Sequence, residues 1–124
     1  MGMSAGVRLA RLHRVFADPT RLRILRVLQA GPLCVCHFQE VLREPQVKIS
    51  KHLATLRTAG LVEATRSGQW MCYALPSKLD AARSALLASL AASAEEEAVF
   101  RKDADRLSRL DLGRTPAASV RGCC

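Results

Sequence analysis

Apolar residues recur at helical spacing in four successive segments of the first sixty positions. Val7, Leu9, Ala10, Leu12, Val15 and Phe16 predict a helix over about residues 6–17. Asp18-Pro19 then reads as an N-cap followed by proline at the first helical position, where its missing N–H costs nothing. The helix it starts carries Leu22, Ile24, Leu25, Val27 and Leu28, and Gly31-Pro32 closes it. Val35, Phe38, Val41 and Leu42 mark a third helix, stopped at Glu44-Pro45. A fourth, over about residues 46–59, buries Ile49, Leu53 and Leu56 and ends at Gly60. Short helices with tight breaks make a compact helical unit.

The period then changes. Residues 61–66 and 69–75 are short runs with β-branched and aromatic residues on either side of Ser67-Gly68, which predicts a β-hairpin. Pro76-Ser77 is expected to cap one long final helix over about residues 78–110, with Glu95-Glu96-Glu97 as part of its solvated face. Leu79, Ala82, Leu86, Leu87, Leu90, Ala91, Ala94 and Ala98 form its apolar stripe. So long a stripe in a small domain points to a second subunit as its cover. The expected fold class is therefore mainly α with a small β-hairpin wing, a winged helix-turn-helix that forms a homodimer. Residues 1–112 are expected to make this winged helix-turn-helix domain, and residues 113–124 read as a flexible tail ending in Cys123-Cys124.

Charge sharpens this picture. The chain carries a net charge of +8, with ten Lys/Arg against three acids in residues 1–60 and nine against eight thereafter. A basic half rich in arginine points to a polyanion, most often nucleic acid. Helix four would offer Gln46 and Lys48 to base edges, and Ser50, Lys51 and His52 to phosphate and sugar. Arg57 lies on the same helix, and Arg66 and Gln69 stand at the wing tip, where Arg66 would meet a minor groove or phosphate. No apolar run approaches membrane-spanning length and no signal-peptide pattern opens the chain, so a cytoplasmic location is expected. No phosphate-cradling glycine loop and no nucleophile–base pair suggests an enzyme.

Five cysteines in a cytosolic chain should stay reduced, as core fillers, metal ligands or redox sensors. Cys72 shares a strand face with Trp70 and Ala74, and ordinary packing is its expected role.

Residues 18–25, Asp-Pro-Thr-Arg-Leu-Arg-Ile-Leu, resemble the second-helix signature of the ArsR/SmtB family of metal-responsive repressors. Lys48-Ile49-Ser50-Lys51-His52-Leu53, with Leu56-Arg57 and Ala59-Gly60-Leu61, resembles its recognition helix. Gly68-Gln69-Trp70 through Tyr73 and Leu75 resembles its second wing strand. The resemblance covers roughly residues 8–90. It implies a homodimer built on the first and last helices, which binds double-stranded operator DNA and is released by an inducer.

Leu33-Cys34-Val35-Cys36 resembles the family's arsenic-sensing motif. The implied inducer is arsenic(III) or an organoarsenical(III), with antimony(III) as a related ligand, and no other cofactor is expected. Residues two apart on a regular helix point to nearly opposite sides, so chelation by Cys34 and Cys36 requires an unwound or distorted helix start. The family's three-thiolate pattern has a third cysteine where this chain has Gln39. Cys123 and Cys124 are candidate replacements, since a tail from residue 113 reaches roughly 30 Å when extended. Alternatively Cys34 and Cys36 act alone. His37 beside them offers weaker support for zinc or cadmium, and a thiol redox or persulfide sensor on the same scaffold is a further alternative. The interfacial His/Asp zinc site of related sensors is absent, because His13, His37 and His52 all lie outside the last helix.

Overall fold

The computed structural model describes residues 4–110. Its elements run α1 (Ala5–Phe16), α2 (Pro19–Leu28), β1 (Leu33–Cys34), α3 (Val35–Leu42), α4 (Gln46–Thr58), β2 (Glu63–Ser67), β3 (Trp70–Ala74), α5 (Ala81–Ala94) and α6 (Ala98–Ser108). The Asp18 carboxylate accepts from the Arg21 backbone N–H at 3.0 Å, so α2 starts with a capped first turn and proline at N1. Arg43 turns the chain sharply between α3 and α4 with φ 57°. Gly60 closes the turn after α4 at φ 74°, and a Cβ there would meet Arg83 at 3.3 Å.

Ile24, Leu25, Leu33, Phe38, Leu42, Ile49, Leu53, Leu56 and Leu61 lie in the fully buried centre, contributed by α2, β1, α3, α4 and the turn after α4. Phe38 also meets Tyr73 of β3 edge to face, at a centroid distance of 6.5 Å. The sheet has three antiparallel strands in the order β1-β3-β2. The hairpin β2–β3 is the wing, and the third strand, β1, joins the wing to the helix that follows it.

The expected single final helix is instead two. α5 starts at the Asp80 cap and ends at Ala94, and residues 95–97 form a turn into α6. Two groups account for the reversal. Phe100 becomes buried in the core, and Asp103, only 1% exposed, reaches Arg23 of α2. A straight continuation would leave both in solvent. The Arg101 guanidinium donates to the Glu95 carbonyl at 2.8 Å and closes the turn. α6 thus packs back on α2 and α3. Among the described residues, no helix is long and apolar enough to cross a membrane.

Candidate metal centre and nucleic-acid interface

Cys34 is the last residue of β1 and the N-cap of α3, with extended backbone at φ −100° and ψ 172°. Cys36 lies in the first turn of the helix. Because one thiol stands outside the helix, the rule that separates residues two apart on a helix does not apply. The two Sγ atoms lie 3.2 Å apart, in contact but well beyond the roughly 2.05 Å of a bonded pair. Cys34 thus stands unwound ahead of α3, one of the two arrangements that the spacing required, and the helix itself begins at Val35.

His37 completes the group. Its Nδ1 accepts from the Cys34 backbone N–H at 3.2 Å and lies 3.5 Å from the Cys34 Sγ. The imidazole thus takes the third-position role that Glu or Gln fills in a capping box. Ligand atoms of Cys34, Cys36 and His37 all fall within 4.8 Å of one another, with Cys34 and His37 buried and Cys36 half-buried. Two soft thiols and one imidazole suit thiophilic ions and exclude a preference for hard, oxygen-seeking ones. Beside the thiols opens a cleft of about 260 Å³, bounded by Cys36, Gln39, Gln46, Trp70 and Met71. Gln39 therefore stands at the site without supplying sulfur. Cys123 and Cys124 lie outside the described residues.

The residues expected to meet DNA divide into two groups. Gln46, Lys48, Ser50, Lys51 and Arg57 are exposed along α4, and Arg66 and Gln69 are exposed on the wing. Lys48 also pairs with Glu44 at 3.2 Å. His52 departs from this set. It is half-buried, 3.9 Å from Asp18 and 3.4 Å from the Arg21 guanidinium, where it ties α4 to the start of α2. Val47 was not among the residues singled out from the sequence, yet it is 68% exposed beside Gln46. An apolar residue at an exposed helical position was its only signal.

The C-terminal end of α3 is held as firmly as its start. Arg23 donates to the Leu42 carbonyl at 2.9 Å, and Arg106 donates to the Val41 carbonyl at 3.1 Å. Both guanidiniums also face Asp103. Hydrogen bonding to Asp103 raises the Arg23 pKa further, against the opposing pull of burial. Glu44 then links Arg23, at 3.8 Å, to Lys48 of α4. α3 is thus a short rod with the thiols at one end and a charged clamp at the other, packed along α4.

A helix-turn-helix with an adjoining antiparallel wing defines a DNA-binding regulator class. Residues 18–64 match the family described as bacterial regulatory protein, arsR family. The chain is 36% identical over 110 residues to the arsenic resistance transcriptional regulator ArsR1 of Pseudomonas putida, covering 88% of this chain and 83% of that one. It is 45% identical over 65 residues to the arsenical resistance operon repressor of Escherichia coli, covering 52% and 56% respectively. Among solved structures it is similar to reduced HlyU from Vibrio cholerae, with a TM-score of 0.62 and 27% identity over 75% of this chain and 92% of that chain. The chain belongs to the arsR family of transcription regulators, and it is not an enzyme.

Proposed function

We propose that this protein is a cytoplasmic repressor that binds operator DNA as a homodimer and is released when Cys34 and Cys36 bind arsenic(III) or antimony(III). The 3.2 Å approach of the two sulfurs carries this reading, because it presents a dithiol already arranged for one soft ion. The names of the relatives from P. putida and E. coli support arsenic as that ion. In this reading α4 enters the major groove with Gln46 and Lys48 at base edges and Ser50, Lys51 and Arg57 at the backbone, and the wing brings Arg66 and Gln69 alongside. The dimer forms through α1, where Val7 and Leu9 are exposed, and through α5, where Ala81, Ala85, Ala88 and Ala92 are exposed at helical spacing.

Release follows from the position of α3. An ion taken up by Cys34 and Cys36 reshapes the start of α3 while Arg23 and Arg106 hold its far end. The resulting tilt is passed to α4, which packs along it. Useful switching needs a coupling free energy of about 1–3 kcal/mol.

The contact between His37 and Cys34 favours a second reading, in which zinc or cadmium takes Cys34, Cys36 and His37. Operator binding titrated side by side with arsenite, antimonite, zinc and cadmium separates the two. The arsenic reading expects loss of binding at the lowest concentration of arsenite or antimonite. Response to zinc or cadmium alone would replace it with the second.

A further inference from the structure

The register of the sheet sets a third cysteine opposite the first. β1 and β3 pair antiparallel with Leu33 facing Tyr73 and Cys34 facing Cys72. Directly opposed residues in an antiparallel pair project to the same face, with Cβ atoms about 4.5–5.5 Å apart. Leu33 and Tyr73 take the face that meets the core, where Tyr73 touches Phe38. Cys34 and Cys72 share the other. Cys72 is half-buried and carries a free thiol, and burial pushes its pKa up.

We propose that Cys72 is the third sulfur donor to the ion held by Cys34 and Cys36, so that inducer binding joins the start of α3 to the wing. This rests on the reading of Cys34 and Cys36 as the inducer site. In its present rotamer Cys72 is not part of the cluster formed by Cys34, Cys36 and His37. A rotation about χ1 redirects its sulfur, and thiolate bonds near 2.3 Å let one ion span sulfurs carried on Cβ atoms at this separation. His37 is the poorer third donor, because its Nδ1 already accepts from the Cys34 N–H and caps α3. Gln39, the neighbour across the cleft, brings no soft atom.

With arsenous acid the exchange balances without any oxidant. Three As–O bonds break and three As–S bonds form. Each thiol proton leaves with a hydroxide as water, and arsenic stays trivalent. The product pins the centre of β3 to the N-cap of α3. β3 also carries the wing through its pairing with β2, so one ligation event acts on both DNA-facing parts.

Pulsed alkylation of the reduced full-length protein, with and without arsenite, tests this by mapping each cysteine by mass. Arsenite should slow modification of Cys34, Cys36 and Cys72 together, and leave Cys123 and Cys124 at their unliganded rates. Cys72→Ser should keep operator binding without inducer and lower arsenite affinity by about tenfold or more, since losing even a group that only orients a ligand costs about 10–100-fold. It should leave methylarsenite affinity little changed, since that ligand has only two exchangeable positions. Protection of Cys34 and Cys36 with Cys72 modified at its unliganded rate, or wild-type arsenite affinity in Cys72→Ser, would overturn the third-donor role alone. Absence of protection at Cys34 and Cys36 would overturn the inducer site itself.

Discussion

The Asp103 carboxylate of α6 grips the Arg23 guanidinium of α2 through two hydrogen bonds of 2.8 Å. Asp103 is 1% exposed, and Arg23 passes the connection on to the Leu42 carbonyl at the end of α3. Removing one partner of such a pair leaves a largely buried charge uncompensated, at about 3–5 kcal/mol. Asp103→Ala should therefore lower unfolding free energy by about 3 kcal/mol in urea titration, with Asp103→Asn less severe because it keeps an acceptor. A loss below about 0.5 kcal/mol, the range of ordinary surface changes, would mean the clamp does not hold α6 in place.

Asp18 gives a pH signature. Burial works to raise its carboxyl pKa, but the Arg21 backbone N–H, His52 and the Arg21 guanidinium together outweigh it, and the pKa sits below 3.8. A depressed folded value means the stabilisation is fully present above the unfolded pKa and is lost as pH falls through the folded one. Asp18→Ala should cost about 1 kcal/mol at pH 7, the usual worth of an N-cap. The gap between wild type and variant should shrink as the pH is taken below 3.8. Urea titrations across that range measure it, and a gap that widens on acidification would contradict the assignment.

That α2 cap was legible in the sequence because Asp18-Pro19 is a local signal, and the wing was legible because its turn and strand residues are adjacent. The break between α5 and α6 was not. Ala94 and Ala98 continue the helical period across three glutamates with no Gly or Pro to stop it, and the reason for the turn is a partner, Arg23, 80 residues away. β1 was missed because two residues carry no period. With it went the place of Cys34 outside α3 and its register with Cys72, both set by long-range pairing. The thiol pair was singled out by its motif, whereas His52 was assigned by its position on α4 without sight of Asp18 and Arg21.

On DNA, Lys51→Ala should weaken all duplexes alike and reduce the salt dependence of log K by about 0.9, the value of one phosphate contact. Gln46→Ala should instead relax preference at particular bases, by about 1–3 kcal/mol per affected position. Fluorescence anisotropy with operator and scrambled duplexes over a salt series distinguishes them. A sequence-selective loss in Lys51→Ala would reverse the roles.

The exposed positions of α1 and α5 predict that sedimentation finds a dimer at micromolar concentration. Ala88→Arg places a charge on the exposed face of α5 and should yield a folded monomer with weak operator binding. A dimer that persists in this variant would move the interface away from α5.

The most direct measurement is operator affinity with and without arsenite for wild type and for Cys34→Ser/Cys36→Ser. Serine keeps the size of each side chain and removes the soft ligand atom, so binding without arsenite should be nearly unchanged. Wild-type affinity should fall by about 5–150-fold with arsenite, the range set by a coupling of 1–3 kcal/mol. The double variant should not respond. A variant that releases DNA at the same arsenite concentration as wild type would show that the switch does not lie at Cys34 and Cys36.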